Sequence, residues 1–457
     1  MLKATISNEI IIHEPSQEIL DWANKNLVFP NPEYAKKLRM HFWLGNTPKN
    51  FYLYRRDGDD LIIPYGYKDK IKDFTTNIEE RFSQHEKIHY LYFVPLRGYQ
   101  ADAVRGLKQV GYGILKSCAG SGKTQIGLAL AMSYQTKTLW LTHTKELLKQ
   151  SYDRAKGFCD ESLLGTITEG KVNMGKAITF ATVQTMCNLD LLRYRETFDV
   201  VIVDEVHNVA TSSDSFTRFQ KVLENLNAKH KFGLSATIHR ADGLINTTFA
   251  LVGGVSYVVP DELLESYTQR ISVKSIPTYW NINLEGSYVK SDGTIEYTSL
   301  ISALANDESR NAVILTELIR NDNEYNLILS ARLEQLRYLK SFFSDDDSAI
   351  IDGSMTGRKK KEREQAIEDM RTGKKHYLFA TFKLAKEGLD IPRLNRLYLA
   401  TPEKDSAIII QSIGRIKRKF EGKKESIVYD FVDDSRMFFG LYKKRVKIYQ
   451  QEKCEVL

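Results

Sequence analysis

The chain has 457 residues, 42% of them hydrophobic, with 65 basic and 58 acidic side chains for a net charge of +7. That length carries about three domains with buried cores, and no apolar run approaches the ~18 residues of a membrane-spanning helix. The start lacks a basic–apolar–small leader pattern, and Cys118, Cys159, Cys187 and Cys454 are scattered without metal spacing, so a cytoplasmic monomer without membrane, zinc or disulfide is expected.

Residues 1–90 read as a small, aromatic-rich α+β domain. Phe42-Trp43, Phe51-Tyr52-Leu53-Tyr54 and Leu61-Ile62-Ile63 alternate with turn signals at Gly45-Asn46 and Asp57-Gly58, which predicts strands and a hairpin. Aromatics lying among Lys49, Arg55 and Arg56 suit a base-stacking platform. They suit a core equally in composition, and core is the first reading.

Residues 91–260 alternate apolar runs with helical patterns. Runs at Gly113–Leu115, Thr138–Leu141, Ala177–Phe180, Val200–Val203 and Lys231–Leu234 predict parallel strands with crossover helices. Between the first run and a helical pattern at Gln125–Tyr134 stands Ser117-Cys118-Ala119-Gly120-Ser121-Gly122-Lys123-Thr124. A glycine loop feeding a helix N-terminus cradles phosphates on backbone N–H groups. Ala119, Gly120, Ser121 and Gly122 would form the cradle, Lys123 would reach the β- and γ-phosphates of ATP, and Thr124 would ligate Mg²⁺. Further on, Asp204 and Glu205 follow a β-branched run, and ligands collect at the C-terminal ends of such strands. Asp204 would hold the Mg²⁺ through water, and Glu205 would orient or deprotonate the attacking water.

Residues 261–310 read as a connector with a hairpin around Ser291-Asp292-Gly293 and a charged helix near Asn306–Arg310. Residues 311–457 alternate again, with strands expected at Asn326–Leu329, Ser348–Ile351, His376–Phe379, Arg396–Leu399 and Ser426–Tyr429. From Arg371 to Leu457 there are 20 basic against 11 acidic residues, whereas residues 1–90 carry 13 of each. The positive field therefore lies on the C-terminal part, where it can neutralise phosphates. Lys443, Lys444, Arg445 and Lys447 read as a solvated helix surface.

Asp204-Glu205-Val206-His207 resembles the DExH box of superfamily 2 helicases, which also tolerate Ser at the start of the phosphate loop. Other segments resemble the family's motifs in order, over about residues 91–457. Leu96–Gln100 resembles the adenine-reading segment. Thr142–Leu148 and Thr182–Thr185 resemble two nucleic-acid-contacting segments, and Leu234-Ser235-Ala236-Thr237 the coupling segment. Phe379–Pro392 and Gln411–Arg418 resemble motifs V and VI. The family usually has Pro after Ser-Ala-Thr, where this chain has Ile238, which weakens inference about coupling geometry.

The resemblance implies two tandem RecA-like parallel-sheet motor domains behind the N-terminal accessory domain, 91–260 being the ATP-binding one and 311–457 the C-terminal one. Arg415 and Arg418 would bring positive charge to the γ-phosphate, with Arg418 the arginine finger. Gln100 would read the adenine edge with Arg97 nearby, and His207 and Gln411 would sense the γ-phosphate. Gly388 and Asp390 would line the cleft at the ribose, and Ser235 and Thr237 would couple the two sites. Thr144, Lys145, Thr182 and Gln184, with Thr381 and Lys383, would grip the nucleic-acid backbone, which positions without reading sequence. Some phage helicases of this family carry a small N-terminal DNA-binding domain, which brings the stacking reading of residues 1–90 level with the core reading.

The motif spelling looks most like DNA helicases of the RecG/XPB group and phage branch-migration helicases of the UvsW type. The expected partner is branched or forked DNA, held with little sequence preference in replication, recombination or repair, and the expected compartment is the host cytoplasm if the chain is phage-encoded. An RNA helicase would share every ATP residue. A restriction-enzyme motor would need a nuclease cluster that is not recognisable here, and a non-catalytic nucleic-acid-binding module would not need Lys123, Asp204, Glu205 and Arg418 intact.

Overall fold

The computed structural model describes the chain apart from residues 1, 92, 119, 210–212, 237–244, 284, 356–358 and 387–388, and apart from the side chains of 213–216 and 385–386. The chain forms two compact units, one of residues 1–118 and 122–260 and the other of residues 261–457 with 119–121.

Among its described residues the first unit holds a two-stranded sheet that pairs Val28–Pro30 with Asn50–Tyr52, and two large sheets. One is five-stranded, in the order Arg55–Asp57, Asp60–Pro64, Glu9–His13, Lys3–Ile6, Ile78–Glu80, antiparallel except at its last pairing. Its Asp57–Asp60 turn is the hairpin expected at Asp57-Gly58. Gly45-Asn46 is a turn, closed by the Thr47 N–H on the Leu44 carbonyl at 3.0 Å, while Phe42-Trp43 lies in a loop rather than a strand.

The second sheet is eight-stranded, in the order Lys171–Asn173, Leu164–Thr168, Ile178–Thr182, Thr138–Thr142, Val200–Asp204, His230–Ser235, Gly113–Lys116, Val255–Val258. Every pairing is parallel except that of Lys171–Asn173. The central strands are buried on both faces, which is why they read as unbroken apolar runs.

The two sheets share one core: Ile10, Ile63, Tyr65 and Ile71 lie in the same cluster as Leu139, Val201, Ala250 and Leu251. Lys231, 1% exposed, donates from Nζ to the carbonyls of Asn8 at 3.0 Å and Leu223 at 2.7 Å and lies 4.6 Å from the Tyr65 ring centroid. Burial pulls its ammonium down to about 7. The Tyr65 hydroxyl donates to the Lys229 carbonyl at 2.6 Å. At Gly66 an added Cβ would stand 2.0 Å from the Phe249 carbonyl oxygen, so the backbones touch directly.

The second unit has a seven-stranded sheet, all parallel, in the order Ser348–Ile351, Tyr377–Thr381, Asn326–Ser330, Arg396–Leu399, Ser426–Val432, Ile271–Pro277, Glu455–Val456. Residues 261–310 are therefore more than a connector, since Ile271–Pro277 is an internal strand of this sheet. The hairpin around Asp292 is present as a bridge between Val289 and Ile295, and helices Tyr297–Asn306 and Glu308–Ile319 follow it.

Two ion pairs are sealed inside this unit. Arg310 and Asp433 are both fully buried, joined at 2.6 Å, with Thr278 donating to the same carboxylate and Arg310 donating to the Ala400 carbonyl. Arg445, read above as a solvated helix residue, is buried and forks onto Asp430 at 2.7 and 2.8 Å, with Tyr449 donating to the same group. Removing one partner strands the other charge in a low-dielectric interior, at a cost of about 3–5 kcal/mol. Arg310→Met is expected to lower the unfolding free energy by about that amount, read by urea denaturation. Recovery of most of the loss in the Arg310→Met/Asp433→Leu double variant would identify the stranded charge as the cause.

Candidate functional site

The phosphate loop joins strand Gly113–Lys116 to helix Lys123–Tyr134. Gly120 and Gly122 take φ of +85° and +80°, left-handed values that glycine adopts without strain. Gly122 also admits Gln100: a Cβ there would stand 2.5 Å from the Gln100 amide nitrogen. Gln100 accepts from the Arg97 N–H at 2.9 Å, closing the start of helix Gly98–Val110. Its side chain is thus held against the loop. Lys123 is buried, with Nζ 3.4 Å from the Cys118 carbonyl. Ser121 is buried and Thr124 half-buried, in the first turn of the helix.

Two strands away, Asp204 ends Val200–Asp204 and is buried. Burial, then the neighbouring Glu205 charge, pushes its carboxyl above the usual range, and the Lys123 ammonium opposes the shift. Ser151, on helix Lys145–Lys156, donates to Asp204 Oδ2 at 3.2 Å. That contact was invisible in the sequence, because Ser151 belongs to no recognisable motif. Glu205 sits in the left-handed region at φ 49°, ψ 53°, a strained setting for a residue with a Cβ and one that clusters at functional sites. Its Oε2 is buried, accepts no hydrogen bond, and lies 3.4 Å from His207 Nδ1. The same His207 nitrogen is 3.0 Å from the hydroxyl of Ser235, at the end of the neighbouring strand. Glu205, His207 and Ser235 therefore form one connected group.

These donors fit a magnesium nucleotide. Mg²⁺ takes hard oxygens, commonly one or two carboxylates with the rest from phosphate and water. Asp204 and Thr124 supply that type of oxygen, and the orphaned oxygen of Glu205 is the sort of acceptor a bound water satisfies. Among the described residues no cluster of three or more His, Cys, Asp or Glu is arranged to hold an ion by itself.

Residues expected at the nucleic acid converge on adjacent strand ends. Thr142 and Thr182 are cross-strand partners, and Gln184 donates to the His143 carbonyl at 2.8 Å, tying the two segments together. Thr144 caps helix Lys145–Lys156 by accepting from the Leu147 N–H, and Thr182 donates to the Thr185 hydroxyl at 3.0 Å. Lys145 is ion-paired with Glu169 on the surface; exposed pairs of this kind are weak and exchange readily.

In the second unit, Gln411 and Arg415 lie on helix Ser406–Ile416, and Arg418 lies just beyond it. Arg418 is ion-paired with Asp390. Arg371 also donates from Nε and Nη2 to the Asp390 carbonyl at 3.1 and 3.0 Å. Thr381 ends strand Tyr377–Thr381, and Lys383 is exposed on the short helix that follows. Ala119, Thr237 and Gly388 lie outside the described residues.

Comparison with known proteins gives a consistent account. Residues 93–240 match the family model for the type III restriction enzyme res subunit, and residues 300–419 match the helicase conserved C-terminal domain. The chain is 25% identical over 462 residues to a putative ATP-dependent RNA helicase of Acanthamoeba polyphaga mimivirus, covering 95% of this chain and 84% of that one. It is 23% identical over 390 residues to the DNA 3'-5' translocase XPB2 of Sulfurisphaera tokodaii, covering 77% and 84%. Among solved structures, Saccharomyces cerevisiae Dbp5 bound to RNA and ADP–BeF3 superposes with a TM-score of 0.55 at 15% identity, covering 80% of this chain and 94% of that one, a likeness of fold alone. No helix among the described residues is long and apolar enough to cross a membrane.

Proposed function

Because the chain belongs to the superfamily 2 helicases, built on two tandem RecA-like domains, with the ATP hydrolysis and nucleic-acid binding of that family, we propose that it is a DNA helicase or translocase that remodels forked and junction DNA. The observation that carries the ATPase part is the grouping of Lys123, Asp204 and Glu205, with Glu205 joined through His207 to Ser235. The DExH spelling and the likeness to a DNA translocase support DNA as the polymer. The preference for branched substrates rests on the resemblance of the motor motifs to branch-migration helicases.

In this reading Lys123 and the loop of Gly120, Ser121 and Gly122 bind the phosphates, and Thr124 and Asp204 hold Mg²⁺. Bound there, the ion neutralises phosphate charge. Glu205 orients and deprotonates the attacking water, and its neighbour His207 passes the state of the site to Ser235 and onward to the strand-end residues Thr142–Lys145 and Thr182–Gln184. Arg415 and Arg418 supply positive charge to the γ-phosphate. Residues 91–260 act as the ATP-binding domain and 311–457 as its partner, with 1–90 as an accessory.

ATP turnover would be measured alone and with single-stranded DNA, duplex DNA, a four-way junction and RNA. Stimulation greatest with the junction, and lost in Lys123→Ala, is the expected result. Stimulation by RNA alone would make the chain an RNA helicase, and absence of turnover with every polymer would end the motor reading. Because the contacts are to phosphates, DNA affinity is expected to fall steeply, by roughly 10³-fold or more between 50 and 200 mM salt if about six phosphates are engaged.

A further inference from the structure

Residues 28–52 form a small two-stranded extension of their own beside the N-terminal sheet, with Phe29 and Phe51 packed on the shared core. Strand Val28–Pro30 pairs only with Asn50–Tyr52, and helix Pro32–Arg39 lies between them without one buried side chain. Asn31 is the one buried residue of the segment. It ties the two ends of the flap to each other: its amide donates to the Pro48 carbonyl at 2.9 Å, its N–H to the Lys49 carbonyl at 2.9 Å, and its Oδ1 accepts from the Glu33 N–H.

What this flap displays is unusual for a surface. Trp43 is 89% exposed, and Leu38, Met40, Phe42 and Tyr52 are exposed around it. The Trp43 indole lies over Gly45, whose φ is +51° and where a Cβ would meet the ring at 3.0 Å. The indole thus runs close beside the turn and is otherwise open to solvent. Exposed apolar groups in such a patch mark an interaction site.

The charge around the aromatics says what kind. Residues 28–52 carry Lys36, Lys37, Arg39 and Lys49 against Glu33 alone. Glu33 pairs with Lys37, whereas Lys36, Arg39 and Lys49 are exposed and form no ion pair among the described residues. Flat aromatic faces among unpaired cations suit a polyanion whose bases are free to stack, since stacking tolerates any base and the cations track the backbone. A duplex, with its bases already stacked on each other, offers the aromatics no face.

We propose that the 28–52 flap is a binding site for single-stranded nucleic acid, with Trp43 stacking on a base and Lys36, Arg39 and Lys49 on the flanking phosphates. Helicase family membership is enough to make such a strand available, so the proposal does not depend on the branched-DNA reading.

The test uses the full chain, titrated with oligothymidylate, oligouridylate and a blunt duplex, each ~16 nucleotides long. Trp22 and Trp280 are half-buried and Trp140 is fully buried, so quenching of tryptophan emission by the strand should vanish in Trp43→Phe. Trp43→Ala should weaken single-strand affinity by about 5- to 150-fold, the effect of losing one stacked base, with polymer-free ATP turnover unchanged. Lys36→Glu/Arg39→Glu/Lys49→Glu should reduce the salt dependence of single-strand binding. The thymidylate and uridylate arms separate DNA from RNA. Unchanged emission and affinity in the Trp43 variants would overturn the proposal, as would equal loss for blunt duplex. So would a concentration-dependent oligomer of the wild type that Trp43→Ala disperses, since the patch would then be a contact between copies. Loss of the junction preference with the Trp43 effects intact would count against the branched-DNA reading alone.

Discussion

Arg418→Ala is expected to lower ATP turnover by about 10³–10⁵-fold, the range that an arginine finger contributes in other nucleotide hydrolases. Within its own unit the residue's backbone is held on two sides. Its backbone bridges to Thr268, and the Gln269 N–H donates to the Lys417 carbonyl at 2.8 Å. Lys423 donates to the carbonyls of Ile416 and Arg418 at 2.7 Å each. Burial and the Arg418 charge pull the Lys423 ammonium down to about 7, so it is a donor kept at some electrostatic cost. The root of Arg418 is thus fixed, while its half-exposed guanidinium is held by the Asp390 carboxylate. A guanidinium has five N–H donors in a planar fork that can hold phosphate on two of them, and the finger role requires Arg418 to exchange Asp390 for the γ-phosphate. Arg418→Lys should restore little, because a compact ammonium cannot reproduce that planar fork. Fluorescent-nucleotide affinity should stay within about tenfold, placing the loss in the transition state rather than in ground-state binding. A drop in turnover below tenfold would move the finger role to Arg415.

Glu205→Gln is expected to cost about 10²–10⁴-fold in turnover, the usual contribution of a positioned general base. The change is isosteric, so the left-handed backbone at φ 49° and the packing around the side chain need not move. What is lost is the negative charge facing the attacking water. Oε2 is buried without a hydrogen bond, and an amide in its place is a far poorer proton acceptor. ATP and single-strand affinity should persist, so the variant should hold ATP without splitting it, as read by single-turnover phosphate release. Turnover within tenfold of the wild type would show that another group activates the water. Lys123→Ala, by contrast, should weaken nucleotide binding itself, which distinguishes the two losses.

The chemistry-bearing strand ends were legible because motif and environment coincide there. A run such as Val200–Val203 reads as an interior strand, and the two carboxylates after it, which alone would read as a surface acidic turn, read as ligand groups because a phosphate loop lies about eighty residues upstream. The Asp390–Arg418 pair was not legible, since the partners lie 28 residues apart and each was assigned its own ligand. Ile271–Pro277 was missed because its half-exposed Lys274 and Ser275 interrupt the apolar run, and its main partner, Ser426–Val432, lies over a hundred residues downstream. Composition also could not sort the N-terminal aromatics. Phe51 and Tyr54 pack on the core, whereas Phe42 and Trp43 face outward. Which side of an aromatic is covered depends on how the segment lies against the core, where Phe29 and Phe51 hold it, a tertiary fact. Arg445 shows the same limit in reverse: a basic helix position looks solvated until Asp430 is found beneath it.

The core shared by the N-terminal sheet and the eight-stranded sheet has a mechanical meaning. With Lys231 sealed beneath Asn8 and Gly66 against Phe249, the first ninety residues are bolted to the half that carries the phosphate loop. They form a lever, not a tether. Scanning calorimetry should find one melting transition for residues 1–260, and a chain begun at residue 91 should expose the face that Tyr65 and Ile71 now cover and aggregate. Whatever the flap grips moves rigidly with the phosphate loop, so displacement there is transmitted without the slack of a flexible joint.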